Sequence, residues 1–166
     1  LNGCTNKDIC TPIYNDDTLP DRIELVTSTY GMNTAQFATT ANGCYSLLTH
    51  PDGTTNILYA DFASKREIFL SSQLNSRHSD ESDTSWLASS SAALSIITTD
   101  EHLFVFSRVP PVGRQAGVEE KSAIIRMDLN GGARETISLA ANQYFSDGSA
   151  VAYDGTYIYF LVSQIN

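Results

Sequence analysis

The chain has 166 residues, 42% of them apolar and only 17% charged, with eight Tyr and seven Phe. That length is enough to close one hydrophobic core. The low charged share, with Ser, Thr and Asn in its place, favours turns and half-buried strands over helices. The formal net charge of −9 repels phosphate backbones and anionic lipid. It argues against nucleic-acid binding and leaves membrane contact to a lipid anchor.

Leu1-Asn2-Gly3-Cys4 matches three of the four positions that end a bacterial lipoprotein signal (Leu, a small residue, Gly or Ala, then Cys), Asn2 being the departure. The polar Thr5-Asn6-Lys7-Asp8 after it suits a tether. Cys4 is therefore the lipidation candidate, and the expected location is extracytoplasmic, on the bacterial surface or in the periplasm. The three cysteines are an odd set. With Cys4 lipidated, Cys10 and Cys44 remain to pair, closing a loop of about 34 residues worth about 3–4 kcal/mol in the chain-entropy model. The alternative leaves all three as thiols, with Cys44 a buried apolar residue. No C-x₂-C spacing or neighbouring His points to a metal. No apolar run approaches the ~20 residues of a spanning helix.

Residues 1–20, with Pro12, Asn15-Asp16-Asp17 and Pro20, read as a tether and irregular lead-in to a domain over 21–166. Arg22–Thr27 alternates with period two and predicts a first strand. Three similar segments follow: Asn42-Gly43 before Cys44–Leu48, Asp100-Glu101 before His102–Phe106, and Asp154-Gly155 before Thr156–Phe160. Each pairs a turn with an aromatic and β-branched strand, and each follows a shorter strand candidate, Gln36–Thr40, Leu94–Thr98 or Ser149–Tyr153. Aligned on Gly43, Glu101 and Gly155, they repeat after 58 and 54 positions. Ile57–Ser64 and Ile124–Gly131 supply a third strand that ends at Asp61 or Asp128, whose carboxylate can accept N–H bonds in the turn it opens. Glu67–Leu70 and Glu135–Leu139 supply a fourth.

The expected fold is thus all-β: antiparallel four-stranded meanders over about 36–70 and 94–139, and the opening of a third over 149–166. Ser85–Ile97, the one helical contender, has a Ser-rich centre that fits a strand better.

Two long connections stand out. From Gly43 to Asp61 is 18 positions and from Glu101 to Asp128 is 27, so the second unit carries nine extra residues within Arg108–Lys121. Arg108, Arg114, Glu119 and Glu120 there, with the sole Trp, Trp86, are the ligand-loop candidates; a tolerated insertion is the plainer reading. Ser71–Ser85 holds Asp80, Glu81 and Asp83, whose oxygens suit Ca²⁺ by type but lack the spacing of an ion-binding loop, and it reads as a solvated loop.

Asp154-Gly155 with Thr156–Phe160, and Ile124-Ile125-Arg126-Met127-Asp128-Leu129-Asn130-Gly131-Gly132, resemble the blades of secreted bacterial β-propellers similar to lipoprotein-receptor (YWTD-type) and TolB-like domains. The resemblance covers about residues 36–162 and implies two full blades and part of a third. Tyr59-Ala60-Asp61-Phe62 and Arg126-Met127-Asp128-Leu129 stand where that family has Tyr-Trp-Thr-Asp, so receptor-type binding does not carry over. Two blades do not close a ring. The chain is read as part of a longer protein, against protomers that assemble to complete a ring or an open stack.

No nucleophile elbow, P-loop, H-E-x-x-H or G-x-G-x-x-G occurs, so neither a catalytic residue nor a cofactor is assigned. The functional expectation is a non-catalytic binding or scaffolding module at the bacterial cell surface, holding a glycan, peptide or protein. The alternative is a glycan-active hydrolase or lyase with carboxylates converging at a propeller channel.

Overall fold

A computed structural model describes residues 24–25, 36–89, 93–108, 122–140, 142–145 and 151–164. These residues contain no α-helix and form antiparallel sheets. The first sheet runs in chain order: β2 (Phe37–Thr39), β3 (Gly43–Thr49), β4 (Thr55–Asp61) and β5 (Arg66–Phe69). A two-residue strand, β6 (Trp86–Leu87), adds to β4 at Thr55 and Asn56. The second sheet repeats the meander with β7 (Leu94–Thr98), β8 (His102–Ser107), β9 (Ala123–Asp128) and β10 (Glu135–Ser138). Leu94–Thr98 is a strand, as the Ser-rich sequence around it predicts.

The third region is only partly the expected meander. β12 (Ala152–Tyr153) pairs β13 (Ile158–Tyr159), and β1 (Glu24–Leu25) pairs the other edge of β12 instead of joining β2. β14 (Val162–Gln164) separates from β13 to pair β11 (Gln143–Phe145).

Ladder register corrects the alignment of the repeats. Gly43 faces Asp61 and His102 faces Asp128, so His102, not Glu101, is the counterpart of Gly43. Thr39 pairs Cys44, Thr98 pairs Leu103 and Tyr153 pairs Ile158, which makes Tyr157 the third counterpart. The units therefore repeat after 59 and 55 positions, and the second exceeds the first by eight residues between its middle strands. Counting from Asn42-Gly43, Asp100-Glu101 and Asp154-Gly155 misplaces the frame because these pairs take different places in their turns.

Period-two alternation sends each strand's side chains to opposite faces. In the second sheet Leu94, Ile96, Leu103, Val105, Ile125 and Met127 pack with Tyr45 and Ile57 of the first sheet. Its other face presents Ile97, Phe106 and Ile124 to Phe145, Val151, Ile158 and Phe160 of the third region. Phe106, Phe145 and Phe160 meet edge-on, with ring centroids 5.2–5.7 Å apart. Tyr45 of the first sheet and its counterpart Phe104 of the second both point to the following unit. Each unit thus lays one face on the opposite face of the next.

Close approach fixes two glycines. A Cβ on Gly43 would lie 2.4 Å from the Tyr59 ring, and one on Gly131 2.7 Å from the Leu70 carbonyl oxygen. Gly131 also has φ +83, a left-handed conformation that side chains resist. The turn after β4 follows expectation: Asp61 Oδ1 accepts from Ser64 N at 2.6 Å. After β9 the work passes from Asp128 to Asn130, whose Oδ1 accepts from Gly132 N at 2.9 Å.

Candidate functional site

Three hairpin turns of one design lie at the ends of the repeated strands. Thr40 N donates to Gly43 O and Thr99 N to His102 O, both at 2.9 Å, and Asp154 N to Tyr157 O at 3.3 Å. The first residue's side chain then accepts from the fourth residue's N–H: Thr40 Oγ1 at 3.2 Å, Thr99 Oγ1 at 3.2 Å and Asp154 Oδ1 at 2.7 Å. Asp154 Oδ2 also accepts from the Tyr159 hydroxyl at 2.5 Å. The Tyr157 N–H and that hydroxyl hold the Asp154 carboxyl below its usual pKa. The turns keep their shape through their own first residues, leaving Asn42 and Asp100 exposed on them.

Between the first two sheets, at this turn end, a cleft of about 650 Å³ opens. Asn42, Tyr59 and Ile68 line it from the first sheet, Asp100, Leu129 and Asn130 from the second, and Tyr153 from the third region. Two bonds join the sheets beside it. Thr98 Oγ1 donates to Thr39 O at 3.3 Å, and Tyr45 Oη to Leu129 O at 2.8 Å. Burial, then the neighbouring Tyr59, pushes the Tyr45 phenol up to about 12, so it stays a donor at physiological pH. The Tyr45 and Tyr59 rings are 4.9 Å apart and tilted by 41°. That contact props the half-buried Tyr59 ring at the cleft.

One unit further on, a second cleft of about 480 Å³ shares Tyr153 and is lined by Glu101, His102, Phe104 and Arg126, among others. Phe104 and Arg126 are the register counterparts of Tyr45 and Tyr59. The Arg126 guanidinium is paired with Glu135 at 2.9 Å.

The 71–85 connection is more than a solvated loop. Its Asp83 is fully buried and collects bonds from Ser71 Oγ (2.6 Å), Ser85 N (2.8 Å) and Ser85 Oγ (2.5 Å). His78 Nδ1 lies 2.8 Å from it, and the His78 ring stacks on Phe69. Burial works to raise the Asp83 pKa, but bonds from Ser71, Ser76 and Ser85 outweigh it and hold the carboxyl far below the usual range. Ser85 passes the network on, its Oγ accepting from Asn56 Nδ2 at 2.9 Å. From the second sheet, Arg134 Nη1 donates to the carbonyls of Asp83, Thr84 and Trp86 at 3.3, 3.1 and 2.7 Å. This cluster builds the loop; among the described residues no group of three or more His, Cys, Asp or Glu is placed to hold a metal ion.

Of the residues singled out in the sequence, Trp86 is half-buried in β6, opposite Asn56, with its carbonyl held by Arg134. Arg108 follows β8, half-buried, and its N–H donates to Ala93 O at 2.8 Å. Neither lines the two clefts described above. Arg114, Glu119 and Glu120 lie outside the described residues, as do Cys4 and Cys10, and with them the lipid attachment and the Cys10–Cys44 bridge. Among the described residues Cys44, half-buried in β3, has no disulfide partner. Burial and then Glu67 push its pKa up. The cleft residues Tyr59, Asn130 and Tyr153 went unnoticed. The sequence carries no repeat signal for the cleft tyrosines: the register counterpart of Tyr59 is Arg126, and those of Tyr153 are Thr39 and Thr98.

Comparison with models of protein families, with curated proteins and with solved structures finds no match to this chain. Among the described residues no helix is long and apolar enough to cross a membrane.

Proposed function

We propose that the protein is a non-catalytic binding module whose repeated sheets are blades of a β-propeller, and that it holds a neutral glycan in the cleft between the first two. The module acts outside the cytoplasm, tethered through Cys4 to a bacterial surface. The repeated face-to-opposite-face packing of the sheets supports the propeller reading, since blades around an axis meet in that way.

The observation that carries the binding reading is the meeting of Tyr59, Tyr153, Asn42, Asn130 and Asp100 at one cleft of about 650 Å³. The volume falls in the range of small-ligand pockets, where apolar walls with a few fixed polar groups set orientation. Sugars present C–H faces that rest on aromatic rings, and hydroxyls that bond amides and carboxylates. Among the described residues one carboxylate, Asp100, lines this cleft, where glycoside hydrolysis takes two. That favours binding over a hydrolase.

Titration calorimetry against neutral oligosaccharides tests the reading. The expected result is binding that weakens at least tenfold, about 1.4 kcal/mol, in Tyr59→Ala and in Asn130→Ala. Binding that both variants leave intact, or no binding across the panel, overturns it.

A further inference from the structure

Given the glycan reading of the first cleft, we infer that the two clefts are successive subsites of one track. The ligand is then a linear neutral oligosaccharide long enough to fill both.

The clefts, of about 650 and 480 Å³, open on opposite faces of the second sheet and meet at its turn end, where Thr99 and Tyr153 line both. The ridge between them is the turn Thr99-Asp100-Glu101-His102, which divides its residues: Asp100 lines the first cleft, Glu101 and His102 the second. The bonds that fix this turn are its own, Thr99 N to His102 O at 2.9 Å and His102 N to Thr99 Oγ1 at 3.2 Å. The exposed carboxylates of Asp100 and Glu101 can therefore accept sugar hydroxyls on either side of it without loosening it. Tyr153 reaches the junction from the third region, half-buried, with its hydroxyl donating to Gly155 O at 2.8 Å. That bond holds in place a ring that both clefts share.

Stacked sheets lie about 10 Å apart. A compact ligand held in one cleft does not reach the partners in the other, whereas an extended chain passing over Thr99 meets both sets. The second cleft offers partners of the right kind. Glu101 accepts, Arg126 donates from a guanidinium already steadied by Glu135 at 2.9 Å, and the half-buried Phe104 ring gives an apolar wall. Glu101 and Arg126 bring opposite charges to the same cleft, which favours a neutral sugar there, and the net charge of −9 disfavours an anionic one. Register makes the subsites unequal. Arg126 stands where the first sheet has Tyr59, so the second subsite offers a planar fork of donors where the first offers a ring face.

Titration calorimetry of the whole chain with linear neutral oligosaccharides of increasing length, from the monosaccharide upward, tests the track. The expected affinity rises at least tenfold once the ligand is long enough to cross Thr99, because the second subsite then binds intramolecularly. Glu101→Ala and Arg126→Ala, both at exposed positions, each remove that step; circular dichroism checks that they keep the strand signature. Asn130→Ala, in the first cleft, weakens every length. Binding that does not change with length overturns the two-cleft track and leaves the first-cleft reading standing. So does a step that both second-cleft substitutions leave intact. No binding at any length overturns both.

Discussion

Tyr45 and Leu129 are 84 residues apart in the chain, yet the Tyr45 hydroxyl donates to the Leu129 carbonyl at 2.8 Å. The bond ties β3 of the first sheet to the turn that follows β9 in the second, at the edge of the cleft. Any substitution that removes it acts on the seam between two sheets.

Tyr45→Phe keeps the ring and removes the donor, leaving the Leu129 carbonyl short of a partner. A loss of about 1–2 kcal/mol in unfolding free energy is expected, read from urea titration. Ionisation gives a second readout. The phenol titrates at about 12 in the folded protein, against about 10 for an ordinary tyrosine. The unfolded chain therefore loses this proton first as pH rises. The stability from the neutral phenol is complete below pH 10 and is lost as pH climbs toward 12. In Tyr45→Phe that alkaline component disappears, which titrations at pH 8 and about 11 distinguish.

Asp83 gives the opposite sign. Its pKa is depressed in the fold, so its stabilisation is present above the ordinary carboxylate range of about 4. It is lost as pH falls through the lower folded value. Asp83→Ala strands the hydroxyls of Ser71 and Ser85 and the His78 ring. The expected cost at pH 7 is about 3 kcal/mol. The gap between wild type and variant should narrow below about pH 4, because the wild type alone loses the carboxylate. A gap independent of pH would show that Asp83 acts through shape and not charge.

The strands of the second sheet were legible because Leu94–Thr98, His102–Ser107 and Ala123–Asp128 are apolar enough to be buried on both faces. β6 and β11 were not, since strands of two and three residues pair through the main chain and leave no periodic pattern. The turn frame slipped for a related reason. Gly43 is the fourth residue of its turn and Gly155 the second of its own, so glycine marks a reversal without numbering it. Asp83 sits in a Ser-rich and acidic stretch whose composition reads as solvated. Its burial depends on Ser71, twelve residues earlier, and on Arg134 bringing the second sheet against the loop. The cleft was illegible as a unit because Tyr59, Asn130 and Tyr153 meet only when the sheets stack.

Arg134 holds three carbonyls through one nitrogen, Nη1. Burial lowers its pKa, while the Asp83 charge opposes that. A lysine ammonium is a point charge without the planar guanidinium, so Arg134→Lys keeps the charge and loses the geometry. The expected cost is about 1–2 kcal/mol, confined to the loop and β6. Hydrogen exchange checks the location. The amides of Trp86, bonded to Asp83 O, and Ile57, bonded to Ser85 O, should exchange faster. Those of Val105 and Ile125 in the second sheet should not change.

Gly131→Ala meets two obstacles at once. The backbone at φ +83 costs an alanine about 1 kcal/mol. The new Cβ would also lie 2.7 Å from the Leu70 carbonyl oxygen, a main-chain atom that cannot rotate away. Gly155 has the same kind of backbone, φ +93, with nothing within 4 Å of an added Cβ. Gly155→Ala therefore isolates the conformational cost, about 1 kcal/mol, and Gly131→Ala should exceed it by about 1–2 kcal/mol because the sheets must separate there. Urea titrations of the two variants measure the difference directly. Equal losses would mean that the Leu70 contact relaxes freely, and that the first and second sheets are not closely packed at that turn.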